Sequence, residues 1–252
     1  MKDKGITRFA EPKAAERGNP SFVWRAGQER RLSMLREHVS LRQKRVLDVG
    51  CGIGMYTSAF RRYTPHVFGI EIEYERACEA QHHNQRIAIS PGERLPFADH
   101  VYDVTFSHEV LEHVGDDRAC AVEMVRVTRP GGHIVIFVPN RLYFFETHGI
   151  YWRGRYRFGN KPLINWLPNY FRNRLAPHVR AYTRSGLRAL FAGLPVRERV
   201  LVQIYPGYDN VVARRAQLGS VVRSISYFME RTPLRLFGLS HFLVLEVLDK
   251  AG

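Results

Sequence analysis

Long apolar runs are missing from this chain of 252 residues. None approaches the roughly 20 consecutive apolar residues that a membrane-spanning helix requires, so no such span is expected. The first twenty residues are polar, charged and punctuated by Pro12, Gly18 and Pro20. They hold no apolar core of a secretory signal, and residues 1–20 are expected to be a flexible N-terminus. Cysteine is scarce. Cys51, Cys78 and Cys120 are odd in number and show no metal-ligand spacing, which argues against a disulfide framework and suits a reducing, cytoplasmic setting. Internal repeats and low-complexity tracts are also lacking, and the length suits one elaborated domain over residues 21–252.

Acidic residues are scarce in some parts of the chain and not in others. The net charge is +14, yet residues 46–140 hold 8 Lys/Arg against 13 Asp/Glu. Residues 141–188 hold 10 against 1, and residues 1–45 hold 12 against 5. The excess positive charge therefore sits outside the central segment, which favours an anionic partner or surface for the flanking parts.

The central segment carries the most informative stretch, Val46-Leu47-Asp48-Val49-Gly50-Cys51-Gly52-Ile53-Gly54. A short apolar strand holds an acid near its tip and then turns on three glycines at alternate positions. A second apolar run, Val67-Phe68-Gly69-Ile70, ends in Glu71. An acid about twenty residues on, at the tip of the neighbouring strand, is placed to hold a ribose diol. A dinucleotide fingerprint would want its third glycine at position 55, which is Met55. Asp48 would repel a pyrophosphate and welcome an ammonium group.

Downstream follow Arg94-Leu95-Pro96-Phe97-Ala98-Asp99, Tyr102-Asp103-Val104, Leu111-Glu112-His113-Val114 and Arg129-Pro130-Gly131-Gly132-His133-Ile134. In this order and spacing the chain resembles the type 11 subgroup of the class I S-adenosylmethionine-dependent methyltransferases, closely over residues 46–140 and loosely at the flanks. Alternating strands and helices joined by short loops already predict a parallel sheet. The resemblance implies an α/β, Rossmann-like three-layer sandwich with a mostly parallel seven-stranded sheet, last strand antiparallel. A helical cover is expected over residues 21–44, opened by Ser21. Residues 139–183 hold 11 of the chain's 30 aromatics, with arginines interleaved and four prolines. A long insertion after the fifth strand, near the ligand crevice, is expected to be a substrate lid.

The resemblance also implies the site. Gly50, Cys51, Gly52 and Gly54 would pack against S-adenosyl-L-methionine, Asp48 would receive its ammonium and Glu71 its ribose hydroxyls. Ile72 would lie on the adenine face. Relatives carry an Asp where this chain has Pro91, so the adenine contact would fall to Gly92 and Glu93. Ser107 and His108 would line the methyl side. His108 and His148 are the candidate bases, with His178 behind them, should the acceptor carry a proton to remove.

Other patterns carry less. His108-Glu109-Val110-Leu111-Glu112-His113 looks like a zinc-protease motif, but its histidines are five apart, and a helix would point them to different faces. No metal is expected. Leu218, Val221, Val222, Ile225 and Met229 read as the core face of one helix over 211–231, with membrane binding as the lesser alternative. The leading expectation is methylation of a small-molecule or lipid-like, possibly anionic acceptor, with possible peripheral contact with an anionic membrane surface. A nucleic-acid substrate is supported by charge alone. Strand four ends in Ser107-His108-Glu109-Val110, unlike an amino-methylating Asn/Asp-Pro-Pro motif, and a Pro-Cys nucleophile is missing. A non-catalytic cofactor-binding subunit is the third alternative.

Overall fold

The computed structural model describes residues 24–82 and 86–249. The N-terminal twenty residues and Ser21 lie outside them. The first described helix, α1 (Ala26–His38), is capped by Gln28, whose side chain accepts the Arg25 amide at 2.8 Å.

Five strands and three helices follow: β1 (Val46–Val49), α2 (Met55–Phe60), β2 (Val67–Glu71), α3 (Tyr74–His82), β3 (Arg86–Ile89), β4 (Tyr102–His108), α4 (Asp117–Val127) and β5 (Thr128–Pro139). Asp116 caps α4 by accepting the Ala119 amide at 2.9 Å, which satisfies one of the open donors of its first turn. After an insertion come α6 (Arg184–Ala189), β10 (Val196–Ile204), α7 (Asp209–Arg214), α8 (Ala216–Met229) and β11 (Ser240–Val247). The seven strands stand in the order β10-β11-β5-β4-β1-β2-β3. β11 runs antiparallel to both neighbours, while β1–β5 are mutually parallel. The expected sheet is the observed one.

Alternation along each strand builds a core on both faces. Ile134, Ile136 and Val138 of β5 pack with Leu47, Val49 and the α4 residues Ala121 and Met124. Val135 and Phe137 point the other way, toward Val46, Phe106 and Leu32 and Leu35 of α1. A sheet covered on both faces reads as unbroken apolar runs, which is why residues 134–139 of β5 are all buried and β11 nearly so.

The insertion after β5 forms two small hairpins and a helix. β6 (Phe145–Glu146) pairs with β9 (Lys161–Pro162), β7 (Ile150–Trp152) pairs with β8 (Arg155–Arg157), and α5 spans Asn169–Leu175. Arg153 and Gly154, between β7 and β8, both have positive φ, as a tight hairpin turn with right-handed strand twist demands.

Residues 211–231 are not one helix. The chain breaks at Arg215, and α8 folds back on α7. Gly219 permits this, since a Cβ there would lie 2.5 Å from the Val212 Cα. The small and polar side of α8 thus faces inward, with Gly219 and Ser226 buried. Leu218, Val221, Ile225 and Phe228 are 49–66% exposed, so the apolar stripe is not a core face.

Candidate active site

The C-terminal ends of β1, β2 and β4 open into one cavity of about 590 Å³, the size of a small-molecule site. It lies beside β1, where the strand order reverses direction, the usual ligand position in such sheets.

β1 brings Asp48, which is 2% exposed, to the cavity wall. Its Oδ2 accepts the Thr57 hydroxyl of α2 at 3.2 Å. Burial pushes the carboxyl up to about 7, the Glu71 charge adds to this, and the Thr57 hydrogen bond opposes it. The turn then passes through Gly50, Gly52 and Gly54 with φ of +75°, +58° and +84°. This left-handed region favours glycine. A Cβ on Gly50 would also stand 2.3 Å from Val110 Cγ2. The Gly50 and Cys51 amides both donate to the Ile70 carbonyl at 2.8 Å, tying the turn to β2. Burial, then the Asp48 and Glu71 carboxylates, push the Cys51 thiol well above its ordinary range, so it is an inert wall group.

Glu71 accepts three backbone amides: Gly52 on Oε2, and Ile72 and Glu73 on Oε1, each at 2.9 Å. It fixes the glycine turn and still has lone pairs to offer, since a carboxylate has about four acceptor positions. Ile72 lies on the cavity wall and is 47% exposed. Gly92 and Glu93 line it from the loop after β3. Glu93 Oε1 accepts the Gly115 amide at 2.8 Å, so this side chain also ties that loop to the one before α4.

Ser107 departs from expectation. It is fully buried, its hydroxyl has no partner, and it is absent from the cavity lining. Successive strand residues point to opposite faces, and here the parity sends His108 to the cavity instead. The His108 ring lies among Tyr56 at 5.0 Å, Phe137 at 5.7 Å and Phe106 at 6.3 Å between centroids. Burial pulls its pKa down to about 4 against the raising effect of Glu109.

His148 comes from the insertion. Its Nδ1 lies 3.0 Å from Glu146 Oε1 and its Nε2 lies 3.8 Å from Glu109 Oε2. Burial works against its charge, but the two carboxylates outweigh it and push the pKa up to about 10. The two candidate bases thus shift in opposite directions, and neither titrates near neutral pH. His113 reaches the cavity as well, from a turn rather than a helix. Thr57, Tyr56 and Arg76 also serve or line this site. Their only sequence signal is a place in the first turn of a helix that follows a strand tip.

Residues 47–136 match the family model described as methyltransferase domain. Residues 47–136 thus form a methyltransferase-type domain. Over 105 residues, 36% of this chain and 38% of the other, it is 35% identical to an uncharacterized methyltransferase of Schizosaccharomyces pombe. An uncharacterized methyltransferase of Mycolicibacterium gilvum is 40% identical over 171 residues, 62% of this chain and 66% of that one. A malonyl-[acyl-carrier protein] O-methyltransferase of Erwinia billingiae is 30% identical over 134 residues, 52% and 53% of the two chains. The matches to the first relatives thus span about two-fifths of those proteins' length. An S-adenosylmethionine-dependent methyltransferase from Mesorhizobium loti shares the fold, with a TM-score of 0.61 at 14% identity, covering 88% of this chain and 98% of that one.

The family depends on S-adenosylmethionine, and the methyltransferase residues present here fit it. Asp48 is a buried carboxylate whose hydrogen-bond partner is a neutral hydroxyl, a placement that an ammonium group would stabilise. Gly50 leaves a cradle that a Cβ would close. Glu71 has the acceptor capacity for a ribose diol. When bound, the cofactor supplies an electrophilic methyl group on a sulfonium sulfur.

Proposed function

We propose that this chain methylates a small-molecule or lipid-like, anionic acceptor by in-line transfer from S-adenosylmethionine. One observation carries the reading: the glycine turn with Glu71 and the insertion's Thr147, His148, Tyr156 and Phe158 line the same cavity. One wall is suited to the cofactor, and the other is built by the segment expected to select the acceptor. The protein's main task is then alignment of acceptor, methyl and sulfur at near-contact distance. With His108 held neutral and His148 held charged, the acceptor's proton is not assigned to either ring.

The insertion supports an anionic acceptor. Arg155 and Arg157 lie exposed on one side of β8, while Tyr156 between them turns inward and donates its hydroxyl to the His148 carbonyl. One relative is named for O-methylation of a malonyl group on an acyl carrier, an acceptor that bears a carboxylate. The outward apolar stripe of α8, next to Arg214 and Arg215, supports contact with an anionic lipid surface. No helix among the described residues is long and apolar enough to cross a membrane. Calorimetry with S-adenosylhomocysteine and NAD tests the cofactor half, and binding of NAD alone would sink it. Methyl-labelled cofactor incubated with host extract tests the acceptor half. Label should enter lipid or small polar fractions, and label confined to RNA would favour the nucleic-acid alternative.

A further inference from the structure

The turn between β4 and α4 gathers polar groups at the wall of the same cavity. Glu112 is 1% exposed, and neither carboxylate oxygen has a hydrogen-bond partner. The Nδ1 of His113 is buried and without a partner in the same way. A buried carboxylate left so is costly unless something positive completes it. Glu112, His113 and His148 each offer one ligand atom, and these atoms lie within 4.8 Å of one another.

The surroundings favour a cation. Glu146 engages His148 Nδ1 at 3.0 Å, which fixes the ring with Nε2 toward Glu109, and Nε2 ligates once a metal displaces its proton. Arg172 in turn holds Glu146 at 2.8 Å. A carboxylate behind a ligating histidine is the usual outer support of a metal site. Glu109 Oε2, 3.8 Å from His148 Nε2, adds a fourth donor. The cluster thus sets three carboxylates, Glu109, Glu112 and Glu146, against the Arg172 guanidinium and the charged His148 ring, whose proton a metal would replace. The zinc-protease comparison paired the wrong histidines: His148, from the insertion, meets His113 where His108 does not.

We infer that Glu112, His113 and His148, with Glu109 alongside, form a binding site for one divalent transition-metal ion at the wall of the cofactor cavity. Two imidazoles with two carboxylates suit manganese, iron, cobalt or zinc better than calcium or magnesium, which prefer oxygen alone. Resting on the methyl-transfer reading above, the ion would hold an acceptor hydroxyl beside the methyl group of S-adenosylmethionine. The hydroxyl proton leaves to solvent, an oxygen lone pair forms the new O–CH₃ bond, and the C–S electron pair returns to sulfur as S-adenosylhomocysteine.

The test uses the full chain, stripped with a chelator and titrated with Mn²⁺, Zn²⁺ and Co²⁺. One equivalent should bind and raise the Tm, and Co²⁺ should give a visible absorption band. Glu112→Gln breaks no hydrogen bond, so it should melt no lower than wild type without metal yet lose the metal-induced rise. Its Mn²⁺ affinity should fall at least tenfold. His113→Gln should alter the Co²⁺ band, and Glu146→Gln should weaken binding about 10- to 100-fold. Absence of saturable binding, or binding and Tm rise unchanged in both Glu112→Gln and His113→Gln, would overturn the site. S-adenosylhomocysteine calorimetry on the same samples separates the two readings. Cofactor binding without metal binding removes this site alone. Metal binding without cofactor binding supports it and removes the methyl-transfer reading.

Discussion

Glu71 holds three backbone amides and lies on the cavity wall at the same time. Glu71→Ala should therefore weaken S-adenosylhomocysteine binding by about 1.5–3 kcal/mol, the size of charge-assisted hydrogen bonds. Unchanged affinity by calorimetry would remove Glu71 from the site. Asp48 makes a pH-dependent prediction. Its carboxyl is pushed up to about 7 by burial, while an ammonium partner favours the ionised form. Cofactor affinity should rise as the pH climbs from about 6 to 8, by no more than about tenfold per unit. Asp48→Asn should bind weakly and show a flatter profile. A wild-type affinity that is level across this range would mean that Asp48 does not meet the ammonium.

At the scale of elements, the glycine turn and the last strand give separate tests. Gly52 has a φ of +58°, a conformation that a β-branched side chain strongly resists. Gly52→Val should abolish cofactor binding and leave the far-UV spectrum near native, and normal binding by that variant would dismiss the turn. On β11, His241 is buried between two partners. Its Nε2 donates to the Tyr182 carbonyl at 2.8 Å, and its Nδ1 accepts from Gln203 at 3.0 Å. That pattern uses the neutral ring, and burial draws the pKa down to about 4, against the raising effect of the hydrogen bond to the Tyr182 carbonyl. The unfolded chain, titrating near 6.5, then takes up protons first. The contribution is fully present above about pH 6.5 and is lost as the pH falls toward 4. Urea unfolding should show this loss, and His241→Gln should lessen its steepness. Equal slopes for both proteins would assign the acid sensitivity elsewhere, for example to His108.

Across the whole molecule, charge and fold divide the labour. The acidic central segment supplies five of the sheet's seven strands and the glycine turn, and residues of the basic insertion line the same cavity. Neutralising Arg153, Arg155 and Arg157 together should raise the acceptor KM and leave cofactor affinity in place. All three are exposed on or beside one hairpin. Their attraction should also fade between low and physiological ionic strength, where the Debye length shrinks to about 8 Å. An acceptor KM indifferent to both salt and the triple substitution would retire the anionic-acceptor reading.

The parallel strand–helix core, the glycine turn and the acid at the tip of β2 were legible in the sequence because each is encoded locally, while the count of seven strands with the last antiparallel came from the family resemblance. Alternation, the strand-to-glycine junction and a spacing of about twenty residues depend on neighbouring backbone units. Where side chains from distant segments meet depends on packing, and there the tertiary structure decided. It set Thr57 beneath Asp48, turned His108 rather than Ser107 to the cavity, and brought His148 to Glu112 and His113 across more than thirty residues of chain. It also broke the helix before β11 at Arg215 and left the apolar stripe of α8 facing out. A hydrophobic period gives a helix its two faces, but only the contact of Gly219 with Val212 determined which of them is covered.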